Sequence, residues 1–223
     1  MIGGVLSLTL APTADAAKFS TLASNKNANK NGLFASTEIR GGSFKTLPKW
    51  SRVLKKMAKQ KAELAACSNG AANCPPGAAK AWGQIIKEAK GLSKKKQLIA
   101  VNKYFNRWPY KLDQAVYKVS DYWATPFEFL KLSGDCEDYA IAKFYALKQL
   151  GWANDDLRIV ALVDRIRGVA HAVLAVKLGE KTLILDNVSN IVTSHLLYKH
   201  YIPHYSVNET TKWSHIKVIK KRK

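Results

Sequence analysis

From Pro48 to Ala66 the apolar residues Trp50, Val53, Leu54, Met57 and Leu64 recur at helical spacing while lysines fill the opposite side, which predicts an amphipathic helix. The same period predicts a second helix over about 77–90, through Ala78, Trp82, Ile85, Ile86 and Ala89. A third is expected over about 93–107, through Leu98, Val101, Tyr104 and Phe105, with Gly91 and Trp108-Pro109 as punctuation. Thr125-Pro126-Phe127-Glu128 has the order of a capping box, so a short helix to Leu130 follows. Beyond Gly134-Asp135 a longer helix begins at Cys136, and Tyr139, Ile141, Ala142, Phe144, Tyr145, Ala146 and Leu150 give it a wide apolar face before Gly151 ends it. This element is expected to be mostly buried. The period then shortens: 157–163, 169–176 and 181–185 are brief runs rich in Val, Ile and Leu, separated by turn residues. Helices followed by strands predict an α+β fold, an N-terminal helical part packed on a C-terminal antiparallel β-sheet.

The ends read differently from this core. Val5, Leu6, Leu8 and Leu10 form a short apolar stretch ending in Ala14-Asp15-Ala16-Ala17, which has the look of a secretory signal peptide over residues 1–17, although the usual basic start is missing. Residues 18–47 read as a flexible leader, because the Asn, Lys and Ser of the Ser24–Gly32 stretch carry little apolar surface. A single domain is expected over 48–215, and residues 216–223 form a basic tail. No apolar run reaches the ~20 residues a membrane span needs. The formal net charge of +20 raises nucleic acid or an acidic surface as partners, but the lysines are spread over helix faces without a nucleic-acid-binding motif, and a solvated basic surface explains them. Cys67 and Cys74 flank a turn-rich segment and suit a local disulfide in an oxidising compartment. Cys136 is left over.

Three residues carry the candidate chemistry. Asp135 can cap the helix that Cys136 opens, with Asp138 supporting the cap, so the thiol meets the unpaired N–H groups and positive dipole end that favour a thiolate. In a hairpin of 169–176 and 181–186, pairing Val176 with Lys181 sets His171 opposite Asp186, close enough for an imidazole–carboxylate hydrogen bond. An acid behind the imidazole fixes its tautomer and frees the other ring nitrogen for the thiol. Cys136, His171 and Asp186 thus read as nucleophile, general base and orienting acid. Each alone has a plainer reading, as inert thiol, core histidine or turn former. The Cys136 N–H can supply one oxyanion donor, and Asn106, Trp108, Tyr110 and Trp123 are candidates for another or for groove walls. His195, His200, His204 and His215 read as surface or packing residues, because Pro203 breaks the spacing that would align a metal pair.

Gly134-Asp135-Cys136-Glu137-Asp138-Tyr139-Ala140, followed by Val169-Ala170-His171-Ala172-Val173 and Leu185-Asp186-Asn187, resembles the bacterial transglutaminase-like cysteine proteinase family. The similarity runs from about Trp50 to Val207. It implies a papain-like or transglutaminase-like core, a periplasmic or secreted location and a protein substrate. For some members it also implies calcium-dependent clipping of a large surface adhesin under an inner-membrane receptor. Transglutaminase or amidase chemistry on the same triad, and a non-catalytic envelope binding module, are the competing readings.

Calcium has its own physical argument. One carboxylate ~8 Å from a thiolate, at an effective dielectric of ~20, opposes ionisation by about 2 kcal/mol. Asp135, Glu137 and Asp138 crowd Cys136, and a bound divalent cation would offset them. Asp135 and Glu137 match metal positions of the family pattern, and Asp138, Asn154 and Asp155 are further oxygen candidates. Simple helix capping accounts for the acids equally well.

Overall fold

A computed structural model describes residues 28–29, 31–68 and 77–217. Helix α1 (Pro48–Ser68) buries Trp50, Val53, Met57 and Leu64 on one stripe. Helices α2 (Ala78–Ala89) and α3 (Lys94–Phe105) do the same with Trp82, Ile85 and Ile86, and with Leu98, Val101 and Phe105. After a single turn, α4 (Asp113–Val116), comes α5 (Pro126–Leu132), which starts at the expected Thr125–Glu128 capping box. Glu128 also accepts from Arg52 and Lys56, tying α5 to α1. Helix α6 (Cys136–Gln149) is the central helix, buried on nearly every side.

The strands are β1 (Ala28–Asn29), β2 (Thr37–Arg40), β3 (Leu157–Asp164), β4 (Val169–Leu178), β5 (Lys181–Asp186), β6 (Ser189–Ser194), β7 (Tyr201–Val207) and β8 (Lys212–Ile216). They form one antiparallel sheet in the order β1-β2-β8-β7-β3-β4-β5-β6. Alternation sends Leu174, Val176, Leu183 and Leu185 into the helical core and Val173, Ala175 and Ile184 to the opposite face. That second face is also covered. Leu33 and Phe34 lie on it beside Tyr201, which is why the middle of β4 is apolar without a break.

This cover corrects the expectation of a flexible leader through residue 47. Residues 31–47 are folded: Phe34 is 1% exposed, and β2 pairs with β8 from Thr37↔Ile216 to Arg40↔Trp213. The basic tail also starts later than residue 216, since Ile216 ends β8 and Lys217 Nζ donates to the Tyr201 carbonyl at 2.7 Å. The expected signal peptide, Cys74 of the expected Cys67–Cys74 bridge and residues 218–223 lie outside the described residues. No helix among the described residues is long and apolar enough to cross a membrane.

The β4–β5 hairpin is tighter than expected. Leu178 pairs with Lys181 across a two-residue turn, with Gly179 at φ 59°, a left-handed conformation that suits glycine. Every pair is therefore shifted by two positions, and Val176 faces Leu183 rather than Lys181. A two-residue shift keeps each side chain on its face.

Candidate active site

Asp135, extended at φ −110° and ψ −161°, ends the approach to α6 and forms a capping box with Asp138. Asp138 takes the Asp135 N–H at 3.3 Å and the Ala124 N–H at 2.6 Å, so its carboxylate joins the helix start to the chain before α5. A Cβ on Gly134 would stand 1.9 Å from Asp138 Oδ2, and only glycine fits there. The result is a fixed position for Cys136, the first residue of the helix, as a free thiol that is 9% exposed.

The shifted hairpin leaves His171 and Asp186 on one face as diagonal neighbours, and the shift does not separate them. His171 Nε2 lies 2.9 Å from Asp186 Oδ1. The second carboxylate oxygen accepts the Tyr201 hydroxyl at 2.6 Å, and the Val188 N–H also reaches Oδ1, at 3.1 Å. Burial alone would raise the Asp186 pKa, but bonds from His171, Tyr201 and Val188 prevail and hold it below the usual range. Asp186 is thus a buried carboxylate, committed to the imidazole.

Cys136 and His171 border the same cleft of about 920 Å³, with Tyr110, Trp123, Tyr205 and the exposed His204 among its walls. The Ala172 N–H, next in chain to His171, faces the sulfur. The thiol itself donates to Glu137 Oε2 at 3.2 Å. Burial, and then the charges of Glu137 and Asp135, push its pKa far up.

The acids around the thiol form a cluster wider than the sequence disclosed. Asp113 and Asp121, from the segment before α5, come together with Glu137, and Asp113 also meets Asp135 and Asp138, their ligand atoms within 4.8 Å of one another. Burial and repulsion from Asp135 push the Glu137 carboxyl up, and burial raises Asp113 to about 6. Asp113 Oδ1 and Asp135 Oδ1 are buried without a hydrogen-bond partner, which is the state of oxygens prepared for a cation. Asp155 and Asn154 do not belong here. They sit in the turn before β3, bonded to the β7–β8 turn through Asn208, because the chain leaves α6 at the end far from Cys136. Asp138 touches the cluster, although backbone donors already occupy both of its oxygens.

Two oxyanion candidates are engaged elsewhere. Trp108 Nε1 donates to the Leu130 carbonyl, and the Asn106 amide donates to the Asp186 and Ser189 carbonyls. Tyr110 and Trp123 remain at the cleft. His195 and His215 pack as expected, His195 accepting from the Phe34 N–H.

Residues 58–221 match the family model described as bacterial transglutaminase-like cysteine proteinase BTLCP. The chain belongs to that family. The proteinase resembles LapG of Legionella pneumophila at 30% identity and a TM-score of 0.59, over 68% of this chain and 87% of that one. An EGTA-treated form of the same protein matches with the same identity and TM-score, over 68% and 84%. The calcium-bound form matches at 29% and 0.56, over 72% and 87%. Comparison with curated proteins finds no match. A cysteine proteinase acts on protein substrates, and the α+β architecture is the one the family implies.

Proposed function

We propose that this proteinase is a periplasmic endopeptidase in which Cys136 is the nucleophile, His171 the general base and Asp186 the orienting acid. The observation that carries the reading is the buried His171–Asp186 hydrogen bond beside a cleft that also holds a free thiol at a helix start. Because Nε2 is turned to Asp186, Nδ1 is the nitrogen left to take the thiol proton. The thiolate then attacks the scissile carbonyl carbon, forming a C–S bond and an oxyanion that the Cys136 N–H can receive. His171 returns the proton to the departing amine, then deprotonates the water that cleaves the thioester. Asp186 keeps its charge throughout and stabilises the imidazolium.

Asp113, Asp121, Asp135 and Glu137 are the residues that would hold calcium, whose charge would offset the carboxylates now opposing thiolate formation. The calcium-bound and EGTA-treated LapG structures support this reading. The apolar stretch ending in Ala16-Ala17 supports export. Resemblance to adhesin-processing members of the family favours a large surface protein as substrate, under a membrane receptor.

The test compares protein termini in the cell envelope of strains carrying the wild-type enzyme or Cys136→Ala. One terminus that disappears with Cys136→Ala is expected, and a purified His171→Ala enzyme is expected to fail on the same protein. Cleavage that persists in both variants would reject this assignment.

A further inference from the structure

Lys143 stands seven residues after Cys136 on α6, two turns along the same face, and it is completely buried. A lysine at full burial needs partners. Its Nζ donates to Asn102 Oδ1 at 2.8 Å, in the last turn of α3, and to Asn106 Oδ1 at 2.7 Å, the residue that caps that helix. Both acceptors are neutral amides. Burial lowers the Lys143 pKa to about 7, and with Nζ donating to both carbonyl oxygens the two amide nitrogens point away from it.

They point at the turn that carries Asp186. Asn106 Nδ2 donates to the Asp186 carbonyl at 2.9 Å, to the Ser189 carbonyl at 3.0 Å and to Asn190 Oδ1 at 3.0 Å. Asn102 Nδ2 donates to the Ser189 carbonyl at 2.8 Å. Asp186 is therefore held twice, its carboxylate by His171 and Tyr201 and its backbone by Asn106 at the C-terminal end of α3. An apolar side chain at 143 would fill the same space without the cost of burying an ammonium. What such a side chain lacks is the means to orient two amides at once.

We propose that Lys143, through Asn106 and Asn102, is a positioning residue that fixes Asp186 relative to the helix carrying Cys136. The inference rests on the reading of Cys136, His171 and Asp186 as the triad. In chain terms, the nucleophile's own helix sets the place of the acid, and a movement of α6 carries both.

The experiment measures alkylation of Cys136 by iodoacetamide across pH in calcium-containing buffer, on the full chain, with circular dichroism confirming the fold. The profile reports the thiol in the company of His171, Glu137 and Asp135. Asp186→Asn is the reference and is expected to displace the profile and slow the neutral-pH reaction. Lys143→Met is expected to displace it the same way, with a loss of about tenfold to hundredfold, the scale of a misplaced catalytic group. Asn106→Asp keeps a partner for Lys143 but removes the donor to the Asp186 carbonyl, and is expected to behave alike. Adding Lys143→Met to Asp186→Asn should cost little more, since both act through one group. Should Lys143→Met not fold, Asn106→Asp decides. A folded Asn106→Asp protein with the wild-type profile, beside an altered Asp186→Asn, would overturn the positioning role. An unaltered Asp186→Asn profile would instead overturn the triad reading, and this inference with it.

Discussion

Tyr201 gives its hydroxyl proton to Asp186 Oδ2 while its ring packs edge-on against Phe34 and, 5.8 Å away, against His171. In Tyr201→Phe that buried oxygen would keep its charge and lose its donor, which costs about 1–3 kcal/mol. The Asp186 pKa should rise and its grip on the imidazolium weaken, so turnover is expected to fall about tenfold, the equivalent of ~1.4 kcal/mol. A urea midpoint and a kcat measured on the same preparation check both parts, and a stable, fully active Tyr201→Phe enzyme would contradict them. The pairing of His171 with Asp186 could be read from the sequence despite a wrong hairpin turn, because only the parity of the register decides the face. Tyr201 could not. It comes from a strand containing Pro203, paired with β3 across a register shift, so no counting rule leads to it. Lys143 was hidden for another reason: on a helix expected to be mostly buried, a lysine reads as the part of the face left to water, and only the structure shows it fully buried.

At the scale of elements, β2 and β8 close the sheet around His215. Its Nδ1 lies 2.9 Å from Ser36 Oγ and its Nε2 2.8 Å from Ser206 Oγ. Ser36 spends its one hydroxyl proton on the Leu33 carbonyl, so it must accept from Nδ1–H, and in the neutral ring Nε2 accepts from Ser206. Burial favours the neutral ring. Burial, with Arg158 acting the same way against the opposing pull of Glu38, lowers its pKa from 6.5 to about 4. A histidine with a depressed folded pKa contributes stability that is complete above about pH 6.5 and is lost as pH falls toward 4. The loss approaches ~1.4 kcal/mol per pH unit within that window. Urea unfolding at pH 7.5 and pH 5 should show the wild-type chain losing more stability than His215→Gln, and equal losses would count against a neutral buried ring. The segment 31–40 that supplies Ser36 was illegible as structure because its polar residues dominate. Only Leu33 and Phe34 supply apolar anchors, and they work because the sheet presents a second apolar face to receive them. The longer helices, by contrast, announced themselves through periodicity and α5 through its capping box, with ends within a few residues of expectation, whereas the single turn α4 carried no such signal.

For the whole molecule, the distribution of charge separates two regions. Residues 48–111 hold 15 of the 36 lysines and arginines but 2 of the 16 acids, whereas Asp121, Asp135 and Glu137 line one cleft with Asp113 and Asp138 buried behind them. An acidic hollow in a chain of net charge +20 is not a by-product of composition. Its members come from two separate stretches of chain, the approach to α5 and the start of α6, so whatever neutralises them also ties those stretches together. Calcium is therefore expected to raise the melting temperature as well as the reactivity of Cys136, with free energy growing as RT ln(1 + [L]/Kd), about 2.7 kcal/mol at a hundredfold excess over Kd. Chelation by EGTA should reverse both effects, and added calcium should restore them. Asp121→Asn should weaken the response while leaving Cys136, His171 and Asp186 in place, whereas Asp155→Asn, far from the cluster, should leave it unchanged. A melting temperature indifferent to calcium, with alkylation equally indifferent, would mean that these carboxylates are neutralised by protons and, at Asp121, by Lys49, and that Cys136 ionises by another route.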